Sequence, residues 1–427
     1  MVRQRPLNRP AAVDERCRGA AKLAESTIAG DRGKMADEPG QIAILPPLMT
    51  VLSDTTVATE RLAAVRAGLA TRGVPALLIT GEQDVRFLAG CFGHDTRVLI
   101  TPTRSVLVSD RRYEEYLSSW KDQGVFEVAI FNRPGQIAFI AEAVADEGLS
   151  ELGVQASHMT LEARDSLAAK LQGIELMSVG GLLAELRKRK CPDEIAAIEQ
   201  AVSIQIEALD ATLRRLRLGM TEGQVAARLI YEMRARGAEC ESFEPIVGSG
   251  ANASIIHHVP GRDPIGPGVL LIDWGARVDG LCSDLTRTFF LGEPGEHMRR
   301  VYEVVTAANL AAIDACRVGT MTGDVDAAAR AVIEAAGWGD QFAHGVGHGL
   351  GRDVHEQPFL GPTGKQVALE AGMVVTIEPG IYLPGEGGVR IEDDVLVTDD
   401  GPRVLSQDLD ASLTGAILAL PQEGTAG

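Results

Sequence analysis

Two pairs of acidic residues in the C-terminal half of the chain are each separated by a turn sequence, and this arrangement is the strongest constraint on the fold. In the first pair, the apolar run V-L-L-I leads to Asp273, and an Asp-Gly turn signal at residues 279–280 precedes Asp284. Strand patterns on both sides of Asp-Gly are typical of a β-hairpin. The pair is centred between Val278 and Asp279. We therefore predict that Asp273 and Asp284 are cross-strand neighbours.

The second acidic pair repeats the arrangement. Glu378 in V-V-T-I-E and Glu392 in V-R-I-E-D-D are centred on Gly385, inside a glycine-rich stretch that must turn the chain. Facing residues of an antiparallel pair have Cβ atoms about 5 Å apart, and like charges at that distance are destabilising. For either pair taken alone, the alternative is that one of the two acids points to solvent and the match is accidental. Two such pairs in one domain favour a cation between the acids.

A histidine-rich segment lies between the two pairs. A-H-G-V-G-H-G-L-G-R-D-V-H-E contains His344, His348 and His355. Glycine at every second position from 345 to 351 argues against a helix and favours an extended strand, which would place the first two rings on one face. The segment lacks the H-E-x-x-H and G-x-G-x-x-G patterns. Three histidines beside four paired acids predict a metal site.

The charge of the four acids predicts the number of metal ions. Four buried carboxylates carry a charge of about −4, which an interior cannot hold unpaired and which two divalent cations neutralise. Carboxylates with a single imidazole favour manganese, with cobalt or zinc as alternatives. Two-metal centres activate water and polarise a carbonyl or phosphoryl oxygen. The predicted chemistry is hydrolysis.

The order of these motifs resembles that of a known family. I-D-W-G, S-D-L-T-R-T, H-G-V-G-H-G-L-G, I-E-P-G and V-R-I-E-D-D are similar to motifs of the pita-bread metallopeptidases. Within them the chain most resembles the Xaa-Pro aminopeptidases and Xaa-Pro dipeptidases (prolidases), over about residues 54–410. The resemblance implies five metal ligands, of which the second and the last bridge two ions: Asp273, Asp284, His348, Glu378 and Glu392.

The resemblance also implies roles in catalysis. Glu378 would move a proton from the attacking water to the leaving nitrogen, and His257 and His355 would hold the substrate carbonyl and stabilise the oxyanion. His344 is expected to contact the substrate as well. Arg390 either binds a substrate carboxylate or forms an ion pair that orients a ligand, and the sequence does not separate these roles.

Three alternatives and two departures from the family pattern remain open at this point. His258 is an alternative to His257, its neighbour. Trp274 and Leu281 differ from the residues usual at their positions in the family, so we expect them to alter the substrate pocket. A hydrolase or lyase of the same fold acting on a non-proline amide or a small molecule is the main alternative function. A non-catalytic interaction protein of this fold is another, although it would be expected to have lost ligands.

Composition narrows the class of protein. A chain of 427 residues exceeds the usual size of a single core, which predicts two domains. The net charge of −18 disfavours nucleic acid as a partner, and no apolar run is long enough for a membrane span. Six scattered cysteines without CxxC spacing indicate reduced thiols and a cytoplasmic location.

The domains are predicted from local patterns. Residues 51–186 alternate helix and strand and resemble the α/β N-terminal domain of creatinase and prolidase, whose expected roles are homodimer formation and closure of one side of the active site. Residues 187–412 are expected to form the α+β pita-bread domain, a curved antiparallel sheet with helices on its outer face. Residues 413–427 would be a tail, and residues 1–50 a disordered extension or an over-annotated start. His94 and His158 are expected to be incidental.

The individual elements are predicted from periodicity. Strands are expected near residues 76–80, 98–101, 105–108, 127–131 and 152–154. Long helices are expected at residues 193–216, 221–236, 297–317 and 322–336, of which the second begins with the capping box Thr221-x-x-Gln224.

Overall fold

A computed structural model describes residues 55–91 and 93–419. The prediction for residues 1–50, and that for residues 420–427 of the tail, lie outside the described residues. All described residues belong to one compact unit of the chain. Among them, no helix combines the length and the apolar character that crossing a membrane requires.

The N-terminal part of the described chain is built around a mixed sheet with the strand order β4-β3-β2-β1-β5-β6. The strands are β1 (Leu77–Ile79), β2 (Arg97–Ile100), β3 (Ser105–Ser109), β4 (Glu127–Ile130), β5 (Glu151–Gln155) and β6 (Glu175–Val179). The helices are α1 (Thr55–Thr71), α2 (Glu82–Ala89), α3 (Ser118–Lys121), α4 (Arg133–Asp146), α5 (Leu161–Ala168) and α6 (Leu182–Arg187). The first five strands coincide with the predicted strands, whereas β6 is an addition.

Helices cover both faces of this sheet, as its buried strands require. In β1 the side chains alternate, so that Leu77 and Ile79 pack in one core with Leu62 of α1. Leu78 points to the other face and packs in a second core with Ile140 of α4. A sheet buried on both faces is the α/β arrangement that the sequence predicts.

Four long helices follow near their predicted positions. They are α7 (Pro192–Leu213), α8 (Glu222–Ala235), α9 (Glu296–Ala315) and α10 (Thr322–Ala335). Pro192 occupies the first turn of α7, and Thr221 and Gln224 form the predicted capping box of α8. The main difference is the end of α7, which stops three residues before the predicted position.

The remaining strands form the C-terminal sheets. They are β7 (Cys240–Glu241), β8 (Ile246–Ser249), β9 (Gly268–Trp274), β10 (Ala276–Val278), β11 (Leu281–Cys282), β12 (Leu285–Leu291), β13 (Gly347–Gly349), β14 (Glu356–Leu360), β15 (Val374–Ile377), β16 (Gly380–Leu383), β17 (Gly387–Arg390), β18 (Asp393–Thr398), β19 (Gly401–Val404) and β20 (Ile417–Leu418). Their pairings are antiparallel except for β12 with β20.

The start of the predicted tail is part of the fold. After a short helix α11 (Leu413–Ala416), β20 pairs with β12. Ala416 is buried in the same core as Phe290. This apolar contact explains why residues 413–418 are ordered on the sheet instead of beginning a tail.

The helices leave one face of the central strand β9 for the acidic side chains. Leu270, Ile272 and Trp274 of β9 pack in one core with residues of α7 and α8. Asp273 lies between the last two of these residues, so its side chain projects from the opposite face of the strand. This alternation places the first acid of the motif on the inner face.

A buried cluster of charges links the two parts of the chain. The Arg187 guanidinium lies 3.0 Å from Asp84, 2.6 Å from Asp353 and 2.6 Å from Glu356. The Lys190 ammonium lies 2.9 Å from Glu356. Because removing one partner of a buried ion pair leaves an uncompensated charge, such a change costs about 3–5 kcal/mol.

We expect this cluster to contribute stability that is lost in acid. Burial alone would raise the pKa of Glu356, but Lys190 and Arg187 outweigh burial and hold the pKa below its ordinary value of 4.5. A depressed carboxyl pKa stabilises the fold above about pH 4.5 and loses that contribution as the pH falls towards the folded value. Melting temperatures measured with chelator from pH 7 to pH 3 should therefore fall less steeply for Glu356→Gln than for the parent protein.

The matched control is Glu370→Gln, because Glu370 is exposed and lies 3.6 Å from exposed Arg189. This variant should follow the parent curve, since exposed pairs contribute little. Equal slopes for Glu356→Gln and the parent protein would contradict the assigned role of the cluster.

Candidate metal centre

The first acidic pair lies on a hairpin whose register differs from the prediction. Its turn residues, Asp279 and Gly280, have φ angles of 49° and 74°, so the turn is centred between them. Asp273 consequently faces Thr286, and the predicted direct pairing with Asp284 is wrong by two positions. Asp284 and Thr286 are two residues apart and project from the same face, which makes the two acids diagonal neighbours.

The second acidic pair has the predicted arrangement. β15 pairs with β18 and β16 pairs with β17 in one common register, and Glu378 and Glu392 lie between these two ladders. The register places them opposite each other. Gly385, at the predicted centre, has a φ of 84°, which a glycine adopts without strain.

The two hairpins and the histidine strand bring together the five residues that the resemblance implies as ligands. Ligand atoms lie within 4.8 Å of one another in three groups, which are Asp273, Asp284 and Glu392; His348, Glu378 and Glu392; and Asp284, His348 and His355. The carboxylates of Asp284 and Glu392 each belong to two of these groups.

The His348 ring presents one nitrogen to the acids. Its Nδ1 lies 3.1 Å from the carbonyl oxygen of Gly349, while its Nε2 lies 3.5 Å from Glu378 and 3.8 Å from Asp284. Burial lowers the pKa of His348 to about 3, so the imidazole is neutral. A neutral ring that donates from Nδ1 leaves the Nε2 lone pair free for a cation.

The carboxylates of the cluster repel one another. Burial, followed by the charge of Glu392, raises the pKa of Asp284 well above its ordinary value, and burial followed by Glu378 does the same to Glu392. Burial raises the pKa of Glu378 to about 8. Four acids at this spacing, three of them buried and Glu378 partly buried, cannot all be ionised without added positive charge.

One carboxylate oxygen of the cluster lacks a hydrogen-bond partner within the described part of the chain, and this bears directly on whether a cation fits the site. Among the described residues, Asp273 Oδ1 is buried and has no hydrogen-bond partner. An unsatisfied buried acceptor costs about 1–3 kcal/mol, more when charged. A divalent ion held by oxygen and one imidazole nitrogen would satisfy it, so the donor set fits the metal chemistry that the sequence predicts.

A second layer of polar side chains fixes the acids. The Thr286 hydroxyl donates to Glu392 at 2.6 Å, and the backbone N–H of Asp284 donates to Asp394 Oδ2 at 3.1 Å. The sequence reasoning missed both residues. The period of two along S-D-L-T places Thr286 on the same face of the strand as Asp284, so Thr286 could have been predicted. The contact of Asp394 with Asp284 joins two separate hairpins, and no local sequence pattern indicates it.

The structure favours one of the two roles considered for Arg390. Its guanidinium donates to Asp273 at 2.7 Å, to the Tyr382 hydroxyl at 2.9 Å and to Thr286 Oγ1 at 3.0 Å. The side chain is 3% exposed. Its guanidinium is held through all three nitrogens, and the bond to Asp273 orients that ligand carboxylate.

The two adjacent histidines have different surroundings. His258 Nε2 lies 2.7 Å from the buried carboxylate of Glu222. The neighbouring His257 is exposed and lines the cavity above the acids. Burial raises the pKa of Asp273, and Arg390 and, after it, His257 oppose that rise. This difference favours His257 over His258 as the substrate-facing residue.

The other two histidines also lie at the cavity. His344 Nε2 is 2.9 Å from the Tyr382 hydroxyl and its Nδ1 is 2.8 Å from the carbonyl oxygen of Gly345. His344 precedes β13, so the predicted strand includes only His348. The His355 ring packs against that of His348 with centroids 4.3 Å apart. His355 therefore lies at the edge of the metal cluster and is exposed.

A cavity of about 630 Å³ opens above the cluster. Its walls combine five histidines with apolar side chains, including Phe243, Val259 and Phe359. Trp274 and Leu281 do not line it, and both are buried in the core beneath α7 and α8. The expectation that these two residues alter the pocket is wrong, because strand alternation turns Trp274 away from the acids.

Comparisons with known proteins agree with this geometry. Residues 61–189 match the Creatinase/Prolidase N-terminal domain and residues 196–399 match Metallopeptidase family M24. The uncharacterized peptidase YqhT of Bacillus subtilis is 36% identical over 335 residues, which are 78% of this chain and 94% of the relative. The Xaa-Pro dipeptidase of Pyrococcus furiosus is 39% identical over 234 residues, 55% of this chain and 67% of the relative.

Solved structures give the same result. The Xaa-Pro dipeptidase from Bacillus anthracis has a TM-score of 0.80 at 33% identity, covering 84% of this chain and 100% of that one. The prolidase from Pyrococcus horikoshii has a TM-score of 0.76 at 31% identity, covering 82% and 98%. The two-domain pita-bread architecture predicted from the sequence is confirmed.

The fold and the acid-imidazole cluster are those of a metallopeptidase. The chain belongs to metallopeptidase family M24, with a creatinase/prolidase-type domain ahead of the catalytic domain.

Metal binding is expected to release protons at neutral pH. Since the pKa of Glu378 in the metal-free protein is about 8, this carboxyl is mostly protonated at pH 7 and must lose its proton to bind an ion. The affinity for Mn²⁺ should therefore rise with pH up to about 8. Titration calorimetry at pH 7 in two buffers of different ionisation enthalpy measures the protons released. Heats that are independent of the buffer would contradict the assignment.

Proposed function

We propose that this metallopeptidase hydrolyses Xaa-Pro bonds at the N-terminus of peptides or in dipeptides. The observation that carries the proposal is the convergence of four carboxylates and His348 at the base of a peptide-sized cavity. The relatives named Xaa-Pro dipeptidase and the prolidase structures support the choice of bond.

In this proposal Asp273, Asp284, His348, Glu378 and Glu392 would hold the two ions. Manganese suits the oxygen-rich donor set best, with cobalt or zinc as alternatives. When bound, two divalent ions supply a nucleophile from water at neutral pH and polarise the scissile carbonyl.

The side chains of the chain then move the proton and hold the substrate. Glu378 accepts the proton of the attacking water and delivers it to the leaving proline nitrogen. His257 and His355 face the cavity and donate to the carbonyl oxygen as its negative charge develops. Burial, followed by the charge of His257, lowers the pKa of His355, so this ring is neutral at pH 7 and donates as an imidazole.

Arg390 acts as a positioning residue in this mechanism. Among the described residues that line the cavity, it is the only arginine or lysine. Its hydrogen bonds to Asp273, Tyr382 and Thr286 fix its orientation, and the exposed cavity histidines, His257 and His355, are further donors for a substrate's terminal carboxylate. His344 is less suited than these two histidines to bind the carboxylate, because both of its ring nitrogens already have hydrogen-bond partners.

A substrate series tests the proposal. Turnover of Ala-Pro, Ala-Pro-Ala, Ala-Ala and Ala-Ala-Ala would be measured with Mn²⁺ at one peptide concentration. Cleavage confined to the proline peptides is the expected result, and the ratio of the first two distinguishes a dipeptidase from an aminopeptidase. Equal cleavage of the alanine peptides would favour a broader amide hydrolase of the same fold.

We also propose a homodimer formed through the N-terminal domain and a cytoplasmic location. Two large apolar side chains of that domain, Phe131 and Leu161, are exposed. The five cysteines among the described residues are free thiols, as expected in a reducing compartment. Light scattering of the full-length chain tests the dimer, for which twice the chain mass is the expected result.

A further inference from the structure

The segment that carries His257 joins β8 to β9 across residues 250–267. His257 lines the cavity and makes no hydrogen bond within the described residues. An exposed ring without a hydrogen bond has several rotamers available, and a displacement of about 1 Å in a catalytic group can cost about 100-fold in rate. Among the described residues, no hydrogen bond of its own holds His257 over the acids.

The carboxylate of Glu222 is a hub for this segment. Glu222 is the first residue of α8 and is 0% exposed. It accepts from the backbone N–H of Ser249 at 2.8 Å, from Asn252 Nδ2 at 3.0 Å and from the N–H of Gly261 at 3.5 Å, and it contacts His258 Nε2 at 2.7 Å. The hub therefore binds the segment before, within and after the two histidines.

We propose that His258 and Glu222 form a positioning pair that fixes His257 above the metal cluster. His258 is next to His257 in the chain, and its ring is held between the cavity wall and the N-terminus of α8. Because His258 directly follows His257, anchoring the His258 ring also restrains the backbone at His257. This restraint limits the positions that the His257 side chain can reach. The inference rests on the proposed role of His257 in binding the substrate carbonyl.

A purely structural role is the competing explanation, because a buried carboxylate with four donors also stabilises the fold. The two explanations differ in where the loss of activity comes from. A positioning pair acts through His257 and has no effect once that ring is removed. A structural role lowers activity whether or not His257 is present, and so does direct catalysis by His258.

The test is a double-mutant cycle on full-length, manganese-loaded protein, with kcat, KM, metal content and melting temperature measured for each variant. His258→Phe keeps a ring but cannot reach Glu222 with a polar atom, whereas His258→Gln can donate to Glu222 with its side-chain amide. Both are made in the parent and in His257→Ala. Glu222→Gln is a second way to weaken the pair if His258→Phe does not fold.

A matched control comes from the same helix end. Thr221→Ala removes the hydrogen bond from the Gln224 N–H to Thr221 Oγ1 without touching the hub. It should lower the melting temperature and leave kcat unchanged. A fall in kcat for Thr221→Ala would show that loosening the start of α8 is sufficient and would overturn the assignment to the pair.

We expect His258→Phe to lower kcat about 10- to 100-fold with metal content unchanged, and His258→Gln to recover most of it. In the His257→Ala background, His258→Phe should cause no further loss. An equal loss in both backgrounds, or no loss in either, overturns the positioning role. Full activity of His257→Ala alone instead contradicts the proposed function of His257, which separates the two failures.

Discussion

Replacing Glu392 by glutamine is expected to abolish peptidase activity and to weaken metal binding by more than about 100-fold. Loss of a residue that only supports a ligand typically costs 10- to 100-fold in metal affinity, and Glu392 itself belongs to two of the three groups of converging ligand atoms. The glutamine retains the volume of the side chain and an acceptor for the Thr286 hydroxyl, so the effect isolates the loss of charge. Metal titration and turnover on the same preparation measure both effects.

The same variant should be more stable than the parent protein when both are metal-free. The raised pKa of Glu392 comes from burial and from its acidic neighbours, and neutralising it removes that repulsion. Glu386→Gln is the matched control, since Glu386 is exposed at the turn of the same hairpin. A metal-free Glu392→Gln protein that melts well below the parent would contradict the assignment of a charge-repelled site.

Replacing His257 by alanine is expected to lower kcat by about 100- to 1000-fold while both ions remain bound. This is the usual cost of losing one donor to a developing oxyanion. His257 faces the cavity but does not belong to the groups of ligand atoms that converge among the described residues, so metal content should be unaffected. Steady-state kinetics and elemental analysis of the variant separate these effects.

His94→Ala provides the comparison for this prediction, because His94 lies in the N-terminal domain and its side chain is 85% exposed. A rise in KM with unchanged kcat would show that His257 binds ground state and transition state equally. Loss of metal from His257→Ala would make that residue a ligand.

The two hairpins show how far the sequence determines this site. The glycine-rich turn around Gly385 is symmetric about the acids, and counting positions is enough to pair Glu378 with Glu392. The first turn contains Asp279 and Gly280, both with positive φ, and a two-residue turn is centred between its central residues. That rule was available from the sequence, and applying it corrects the register.

Contacts between separate elements could not be predicted in this way. The chain of hydrogen bonds from Arg390 through Tyr382 to His344 joins β17, β16 and the segment before β13, and the sequence carries no local signal for it. The sequence similarly predicts that Glu222 is an acid in the first turn of a helix, and a favourable interaction with the helix dipole would be sufficient to explain an acid at that position. Its role as a hub depends on a segment about 30 residues further along the chain.

The burial of Trp274 illustrates the opposite case. Period-two alternation places Trp274 on the face opposite Asp273, and this inference needs no tertiary contact. Its indole N–H donates to the carbonyl oxygen of Gln205 in α7 at 2.9 Å, which satisfies the polar atom in the core. Comparison with the family marks the residue as unusual, but its position on the strand shows that it cannot shape the pocket.

The central claim is a pair of divalent ions at the converging carboxylates, and the metal content of active enzyme tests it most directly. Elemental analysis of a preparation that cleaves Ala-Pro should find about two divalent ions per chain, since four converging carboxylates need that much positive charge. Chelator should remove the ions and the activity together, and Mn²⁺ should restore both. An active preparation without stoichiometric metal would contradict the account.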